Sequence, residues 1–414
     1  MKYVKIIVAH PFQQHSFKTA RALKKNNNLY KYVTTVYLKK GTITYWLSKV
    51  LKGDNLRRTL GRKTEELSDN EVVVFSEWAN LLLLFLQRVD KNRNLYNWWY
   101  QKTINIFNRS LFKYVKKEEI DAVIVYDTVS NKLVELVKKH KLKTKVIIDM
   151  SAPNALFMKQ IFEDELHNMS SKDAVLDVSS KYFVRKCIAA KKELDYADAF
   201  LVASEFTRKS LEWWHINPNN IYKCTYGVYE EHKESIKKDK GVIRCCFVGK
   251  ISLQKGAYRL FKIIDSVERS DMEFHFYGSY SKDNEYYKKY RDRCIFHGHV
   301  PHSKMLDELE KNDIIIFPSL ADGFGFSVTE ALLRQNIAIC SKNAGVSELI
   351  IDGETGFSYS IGEENSVVSF LRSVSRDKLS IMQEKAPDSL KKYTWDKYSE
   401  QVNNAVNKVF SREK

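Results

Sequence analysis

Short apolar runs alternate with helix-like runs along the chain of 414 residues, and this alternation is what most constrains the fold. The runs KIIVAH (5–10), AVIVYD (122–127), KVIIDM (145–150) and AFLVAS (199–204) are rich in Val and Ile, and each precedes a helix-like segment. Continuous apolar strands are typical of parallel sheets that are covered on both faces. The pattern therefore predicts an α/β fold.

A charged stretch near the middle of the chain interrupts the alternation, which then restarts. We predict a first domain at 1–228, a linker at 229–241, a second domain at 242–390 and a C-terminal segment at 391–414. That segment has one apolar face and is predicted to be an amphipathic helix capped by Thr394. The strands predicted in the second domain are IRCCFVG (243–249), EFHFYG (273–278), IFHGHV (295–300), DIIIFPS (313–319) and IAICS (337–341).

The positive charge of the chain is concentrated in its first half. The formal net charge is +17, and residues 1–228 contain 39 Lys and Arg against 23 Asp and Glu, while residues 229–414 contain 29 against 28. A charge excess that is confined to one domain indicates an anionic partner for that domain. Nucleic acid, an anionic membrane face and a phosphorylated substrate all fit.

The cysteines and the apolar runs indicate the compartment. Six cysteines are present without a CxxC pair, which favours buried, reduced thiols in a cytosolic protein. The longest apolar stretch, LLLLFL (81–86), is too short to span a bilayer, and the N-terminus does not have the pattern of a signal peptide. We therefore expect a cytoplasmic protein.

The stretch PSLADGFGFSVTEALLRQ (318–335) joins a strand to a helix through a glycine turn. In open α/β sheets, ligands bind beyond the carboxyl ends of the strands, and a helix N-terminus there favours phosphate. Asp322 and Glu330, the latter expected in the first helical turn, could accept hydrogen bonds from sugar hydroxyls. Alternatively, Ser327 and Glu330 fit the S-x-x-E capping box, in which Glu330 would only satisfy a backbone N–H.

A second motif, GKISLQKG (249–256), follows the first predicted strand of the second domain. Lys250 and Lys255 flank this loop, and lysine is a compact charge suited to phosphate oxygens. The motif does not have the GxxxxGK[ST] pattern of a P-loop. The alternative is a solvated turn in a lysine-rich protein.

These two motifs, in this order and spacing, resemble those of the retaining nucleotide-sugar glycosyltransferases of family 4, which belong to glycosyl transferases group 1. Family-like segments also occur at 197–211, 226–229, 296–300 and 343–357. The resemblance is strong over about 190–360 and weaker before it. It implies the GT-B fold, in which two Rossmann-like doubly wound domains face a central cleft. The first domain would bind the acceptor, the second would bind the nucleotide sugar, and the C-terminal helix at 391–414 would cross back to the first domain.

The resemblance also implies roles for individual residues. Glu330 would hold the ribose hydroxyls of the donor, Asp322 would contact the donor sugar, and Lys250 and Lys255 would neutralise the diphosphate leaving group. The stretch around Val300 would contact the base. No metal or cofactor is expected. The remaining residues expected to contact the donor are Gly249, Gly323, Phe324, Gly325, Phe326, Ser327 and Val328.

The chain departs from the family pattern at several positions. Asp322 stands where glutamate is commoner, and Lys250 stands where arginine is common. Family members often have a histidine after a strand of the first domain, whereas the equivalent strand here ends near Asp149 and Asn154. These two residues are weaker site candidates, and Asp149 could instead cap a strand end. His10 and His15, in the first loop, are also weaker candidates and could be merely solvated.

Two basic segments of the first domain combine cations with aromatic residues, at 44–63 and 97–117. Such helices can lie on an anionic membrane, although 97–117 could instead pack on its own sheet. We expect a retaining transferase that uses a glycan or polyprenyl-diphosphate-linked acceptor in surface polysaccharide or glycoconjugate biosynthesis, peripheral on the inner face of the plasma membrane. The alternatives are an epimerase or phosphorylase with the same fold, or a nucleic-acid-binding protein, for which no recognisable motif is present.

Overall fold

The first domain is built on a parallel sheet of seven strands. The computed structural model describes residues 4–12, 15–167, 169, 171–228, 238 and 241–411. The strands are β1 (Ile6–Ala9), β2 (Leu29–Thr34), β3 (Val72–Val74), β4 (Ala122–Tyr126), β5 (Lys145–Met150), β6 (Ala199–Val202) and β7 (Ile221–Lys223). Their order across the sheet is β3-β2-β1-β4-β5-β6-β7.

Ten α-helices are described in the first domain, on both faces of this sheet and around its edge. They are α1 (Ser16–Lys25), α2 (Ile43–Val50), α3 (Gly53–Leu60), α4 (Glu77–Val89), α5 (Asn94–Lys117), α6 (Asn131–Lys139), α7 (Ala155–His167), α8 (Lys172–Ser179), α9 (Lys181–Tyr196) and α10 (Glu205–Glu212).

The second domain has a parallel sheet of six strands. These are β8 (Ile243–Val248), β9 (Met272–Tyr277), β10 (Ile295–Gly298), β11 (Ile314–Phe317), β12 (Ile337–Ser341) and β13 (Gly356–Tyr359), in the order β10-β9-β8-β11-β12-β13. The helices that follow in the chain are α11 (Ala257–Ser266), α12 (Glu285–Tyr290), α13 (His302–Glu310), α14 (Phe326–Leu333), α15 (Glu364–Ser373), α16 (Arg376–Lys385) and α17 (Trp395–Ser411).

Both sheets follow one topological plan. In each, the chain runs outward from the first strand, returns to its other side, and continues outward again. This is the doubly wound arrangement, which places ligands beyond the carboxyl ends of the strands where the order reverses. That point lies between β1 and β4 in the first sheet and between β8 and β11 in the second. The predicted α/β fold with two doubly wound sheets is confirmed.

The central strands are buried on both faces, as their continuous apolar sequence indicates. All residues of β1, β4 and β11 are buried. One hydrophobic cluster continues from the first domain into the second, because Tyr226 packs against Phe324 and Phe326. The domains therefore meet through a shared apolar contact next to the glycine turn.

The two basic segments of the first domain and the predicted linker can be compared with the structure. The basic segment 44–63 contains two short helices, α2 and α3. The segment 97–117 belongs to α5, which buries Ile104, Phe107 and Leu111 and so packs on its own domain. The predicted linker, 229–241, lies outside the described residues except for Lys238 and Gly241.

The C-terminal helix α17 lies against the first domain. Thr394 Oγ1 accepts a hydrogen bond from Lys397 N at 3.1 Å, as expected of the helix cap. Asn403 donates to Ala22 O, and Tyr398 OH lies 2.8 Å from Thr19 Oγ1 in α1. The two passages of the chain between the domains lie side by side, because Val228 N donates to Tyr393 O at 3.0 Å.

The state of the cysteines and the apolar length of the helices can be compared with the sequence predictions. All six cysteines are buried free thiols, as predicted. None of the helices within the described ranges is long and apolar enough to cross a bilayer.

Candidate active site

The glycine turn of the second domain lies directly against the loop that follows β5 of the first domain. A Cβ placed on Gly323 would lie 2.4 Å from the carbonyl oxygen of Ser151 and 3.0 Å from Cα of Ala152. Ser204 Oγ, after β6, donates to Gly323 O at 2.9 Å. Only a residue without a side chain fits this approach. The turn therefore sits where the carboxyl ends of the two sheets meet.

Helix α14 points its amino end into this region. Gly325, which precedes the helix, has φ of +100°, in the left-handed region that favours glycine. Phe324 N donates to Asp322 Oδ1 at 3.1 Å, so the aspartate also shapes the turn. The first N–H groups of a helix have no partner within it and carry partial positive charge. The turn thus presents an anion-binding helix end to the cleft.

Lys255 and Asp322 form a close ion pair between the two motifs. Lys255 Nζ lies 2.5 Å from Asp322 Oδ2, and both side chains are largely buried. Backbone bonds hold the loops together, since Leu320 N donates to Gln254 O at 2.9 Å. The two motifs that the sequence singled out therefore form one site at the ends of β8 and β11. The lysine has two further protons that it can donate to an anion.

Glu330 is the fifth residue of α14, so the expectation that it lies in the first turn is wrong. The capping-box alternative is also wrong, because Gly325 is the N-cap and no side chain caps the helix. Glu330 Oε1 instead lies 2.8 Å from His302 Nε2, at the start of α13. The Glu330 side chain is 18% exposed and that of His302 is 72% exposed. The carboxylate therefore faces a solvent-accessible histidine that the sequence analysis did not identify.

Lys250 lies at the opening between the domains. Its side chain is 62% exposed and pairs with Asp177 of α8 at 3.2 Å. The other carboxylate oxygen of Asp177 accepts a hydrogen bond from Leu253 N at 2.9 Å. Asp177 of the first domain therefore contacts the GKISLQKG loop at two positions, Lys250 and Leu253. An inter-domain cavity of about 260 Å³ is lined by Lys250, Asp177 and Asp127 among others. Asp177 was not identified from the sequence.

The other predicted donor residues surround this cluster. Gly249 follows β8, and Phe324 to Val328 form the turn and the start of α14. Phe324 and Val328 are buried, whereas Phe326 and Ser327 are partly exposed. Val300 follows β10, is half-buried, and packs against the core two residues before His302. The predicted donor residues thus lie at the carboxyl ends of β8, β10 and β11.

Asp149 anchors a buried polar cluster instead of facing the cleft. Its carboxylate accepts hydrogen bonds from His15 Nε2 at 3.1 Å, Tyr226 OH at 3.3 Å and Tyr398 OH at 3.4 Å. Burial, followed by the Asp149 charge, raises the pKa of Tyr226 and of Tyr398 well above the ordinary value, so both hydroxyls remain donors. The cluster ties β5, α1 and α17 together directly behind the glycine turn.

His10 and Asn154 have local contacts. His10 is buried, accepts a hydrogen bond at Nδ1 from Phe12 N at 2.8 Å, and packs on Tyr126. Asn154 Oδ1 accepts from Leu156 N at 2.9 Å at the start of α7, and its backbone N–H donates to Ser210. These contacts stabilise the loops that follow β1 and β5.

Within the described ranges, no group of three or more His, Cys, Asp or Glu side chains lies close enough together to hold a metal ion. Lys255 reaches the glycine turn through Asp322, whereas Lys250 pairs with Asp177 of the first domain. Activity without a metal remains a prediction.

The arrangement of two doubly wound domains around a cleft is the GT-B class of fold. The chain is similar over 99% of its length to the apo form of the lipopolysaccharide outer core galactosyltransferase WaaB, with a TM-score of 0.60, 15% identity and 99% of that chain covered. It is also similar to HepE of Anabaena in complex with UDP-glucose, with a TM-score of 0.58, 11% identity and coverage of 97% of this chain and 99% of that one.

The sequence comparisons match parts of the chain. Residues 228–394 match the model of the family Glycosyl transferases group 1. An uncharacterized glycosyltransferase of Methanocaldococcus jannaschii is 21% identical over 295 residues, which is 68% of this chain and 74% of that protein. An uncharacterized 41.2 kDa protein in the cps region of Klebsiella pneumoniae is 29% identical over 150 residues, which is 35% of this chain and 42% of that protein.

Proposed function

We propose that this chain transfers a sugar from a nucleoside-diphosphate sugar to a glycan or membrane-linked glycolipid acceptor, with retention of the anomeric configuration. The observation that carries the proposal is the Lys255–Asp322 pair beside the amino end of α14, with Glu330 on the same helix. These residues occupy the positions that the family motif assigns to the donor. The structural neighbour HepE was solved with UDP-glucose, which supports a nucleotide sugar as donor.

The leaving diphosphate would bind at the amino end of α14. Its negative charge increases as the bond to the sugar breaks, and the helix N–H groups with Lys255 and Lys250 would stabilise it. Such preorganised charges lower the barrier because they interact more strongly with the transition state than with the donor. Asp322 holds the lysine in place through Oδ2, and each of its oxygens has a second lone pair that could accept from a hydroxyl of the donor sugar.

The nucleoside would lie over the outer part of the second domain. Glu330 would accept hydrogen bonds from the two ribose hydroxyls, and its contact with His302 Nε2 would orient the carboxylate. Val300, at the end of β10, would pack against the base. Retention and independence of metal follow from the resemblance to family 4.

The acceptor is proposed to belong to a surface polysaccharide or glycoconjugate pathway. Two comparisons support this assignment, namely the galactosyltransferase of the lipopolysaccharide outer core and the relative in the cps region of Klebsiella pneumoniae. The acceptor would enter from the first domain, opposite the glycine turn. The bond between an acceptor hydroxyl oxygen and the anomeric carbon of the donor sugar would form while the diphosphate remains bound to the second domain.

A membrane-linked acceptor is supported by an exposed apolar area on the first domain. Trp46 and Phe85 are 63% and 57% exposed, and Lys49 and Lys102 lie over the rings of Trp46 and Trp98. Aromatic residues surrounded by cations are typical of surfaces that enter an anionic bilayer interface. We call this area the apolar surface; it comprises Ile43, Trp46, Val50, Trp78, Leu82, Phe85, Val89, Leu95 and Trp98.

A groove beside the apolar surface adds to this support. It has a volume of about 670 Å³ and runs between α2, α3 and α4. Leucine side chains and Phe85 line it together with Arg58, Arg88 and Arg93. A lipid chain attached to a phosphate has the matching combination of apolar and anionic parts. We therefore propose that the first domain lies on the inner face of the plasma membrane.

The proposed function is tested by screening nucleotide sugars with the full chain. A donor should raise the melting temperature by mass action, and the same donor should then be consumed when lipid-linked acceptors are added. The anomeric configuration of the product, read by NMR, should match that of the donor, and EDTA should not abolish turnover. Epimerised nucleotide sugar without an acceptor, or phosphorolysis of a glycan, would replace transfer with one of the alternative reactions.

A further inference from the structure

A second cavity in the first domain lies outside the cluster described above. It has a volume of about 560 Å³ and is formed by α5 and α9 with the loop after β4. Three cations line it, Arg93, Arg185 and Lys186, together with Tyr96, Tyr100 and Tyr182. Its lining contains no Asp or Glu among the described residues.

The three cations have no carboxylate within ion-pair distance in the described part of the chain. Arg185 donates to the carbonyl oxygen of Asn97 at 3.0 Å, which leaves the rest of its guanidinium for another acceptor. Arg93 lies over the ring of Tyr96 and Lys186 over the ring of Tyr182. The charge of the buried Asp127 acts on Lys186 from the adjoining inter-domain cavity, whereas the lining shared with Arg93 and Arg185 contains no carboxylate. Like charges that converge there repel one another, so an anion bound among them would relieve part of that repulsion.

The rest of the lining suits a saccharide. Tyrosine rings offer flat apolar faces with a hydroxyl at the edge, and the side-chain amides of Asn97, Gln101 and Asn131 can donate and accept hydrogen bonds. Pockets with a few placed polar groups among aromatic walls bind small molecules specifically. Guanidinium groups add bidentate contacts to phosphate or carboxylate.

The cavity opens towards the cleft. Thr128, Tyr182 and Lys186 line both this cavity and the inter-domain cavity that contains Lys250. Arg93 also lines the groove between α2, α3 and α4. A molecule bound at the three cations is therefore placed between the apolar surface and the donor residues.

We propose that this cavity binds an anionic saccharide, a sugar that bears a phosphate or carboxylate group, through Arg93, Arg185 and Lys186. The assignment of this saccharide as the acceptor rests on the proposed function, whereas the binding site itself does not. The cavity would then select charged acceptors over neutral ones, and the charged group would fix which hydroxyl faces the donor.

The test is isothermal titration of the full chain with four probes: glucose 1-phosphate, glucuronic acid, methyl glucoside and inorganic phosphate. We expect at least one of the two anionic sugars to bind, and that sugar identifies the charged group. Arg185→Gln should weaken its binding about 10- to 100-fold, the usual effect of losing a charge-assisted hydrogen bond. Arg185→Lys should restore part of the affinity, whereas Lys191→Gln, on the exposed side of α9, should leave it unchanged.

Several results would overturn the assignment. These are equal binding of methyl glucoside, unchanged affinity in Arg185→Gln, or no binding of either anionic sugar. Inorganic phosphate that binds as tightly as glucose 1-phosphate would refute saccharide recognition. A separate titration with nucleotide sugars distinguishes this failure from that of the proposed function. If no nucleotide sugar binds while an anionic sugar does, the transferase proposal is refuted and the assignment of the cavity still holds.

Discussion

The two domains share one strand order but differ in what surrounds the sheet. In the second domain, the residues proposed to bind the donor lie on short loops at neighbouring strand ends. The charge there is nearly balanced, with 29 Lys and Arg against 28 Asp and Glu in residues 229–414. The first domain has 39 against 23 and adds the helices α2 to α5 and α7 to α9. The same scaffold thus supports two surfaces of different chemistry.

This difference teaches where each specificity resides. The proposed donor site joins two short motifs, and its Lys255 and Asp322 pair although they are 67 residues apart. The cavity of the first domain joins Arg93, which precedes α5, and Arg185 of α9. If the proposed sites are correct, we expect a change of acceptor to alter these helix surfaces and to leave the loops proposed to bind the donor unchanged.

The largest effect is expected from Lys255→Ala. Loss of one preorganised charge at a leaving group typically lowers turnover about 10²- to 10³-fold, and we expect kcat to fall by that amount. Steady-state assays with the donor found by the screen will measure it. Lys262→Ala, an exposed residue of α11, is the matched control. A fall of less than threefold would place Lys255 outside the reaction.

A smaller effect is expected from Glu330→Gln. The neutral amide accepts weaker hydrogen bonds from the ribose hydroxyls, so donor affinity should fall by about 10- to 100-fold, with an unchanged melting temperature of the free protein. Titration calorimetry with the nucleotide alone separates this effect from sugar contacts. Glu384→Gln, at an exposed position of α16, serves as control. Donor affinity equal to that of the control would contradict the assigned role.

Gly323→Ala tests whether the domains must approach as closely as they do here. The added Cβ would lie 2.4 Å from Ser151 O, so the turn or the β5 loop must move. Overpacking of this kind costs about 1–3 kcal/mol, and we expect lower turnover together with a lower melting temperature. Gly61→Ala, where the nearest atom would be 3.6 Å away, is the control. Unchanged kinetics would mean that turnover does not need this contact.

Variants that weaken membrane binding should distinguish the roles of the two domains, because they should leave donor binding unchanged. We expect the full chain to bind anionic liposomes and hardly bind neutral ones, less so at high salt. The double variant Trp46→Ser, Phe85→Ser should lose about tenfold or more in liposome affinity, while the donor-induced thermal shift persists. The exposed Ile381→Ser of the second domain is the control. Equal binding to both kinds of liposome would refute an anionic membrane partner.

The smallest effect on turnover is expected from Glu193→Gln. Glu193 is buried in α9, and its ionisation should affect the free energy of unfolding instead. Its carboxylate accepts hydrogen bonds from Thr128 N and Ser130 N, and burial raises its pKa from 4.5 to about 8. The folded state therefore keeps this proton to higher pH than the unfolded chain does. The free energy of unfolding should fall as pH rises from about 4.5 to about 8.

Urea unfolding at several pH values measures this dependence. Glu193→Gln cannot ionise, so its curve should fall less over the same range. If the wild type and the variant show parallel curves, Glu193 is ionised in the folded protein at neutral pH.

Much of the fold could be predicted because buried parallel strands have a strong local signal. The runs at β1, β4, β5 and β11 are continuous apolar sequence and were recognised. Strands β2, β3, β7 and β13 were not, since they are short or mixed with polar residues at the edges and outer parts of the sheets. Segment 44–63 was ambiguous because no apolar period continues through Gly53 to show where α2 ends and α3 begins.

The pairing of Lys255 with Asp322 could be predicted from local sequence motifs. The residues that contact the proposed donor site from other helices, His302 and Asp177, could not. Lys255 and Asp322 stand in motifs that neighbour each other once the strand order is known. His302 and Asp177 are single polar residues in ordinary helices, and only the packing of α13 beside α14 and of α8 across the cleft brings them to the site. The capping-box reading of Glu330 failed because the helix begins one residue before Ser327.

The adjacent crossings at Val228 and Tyr393 determine how this molecule can move. Two covalent passages at one place act as a pivot, because rotation about an axis through them stretches neither passage. We expect the domains to swing about that axis, with α17 carried along by the first domain. Such a swing must break the bonds from Lys223 to Glu348 and from Ser204 to Gly323.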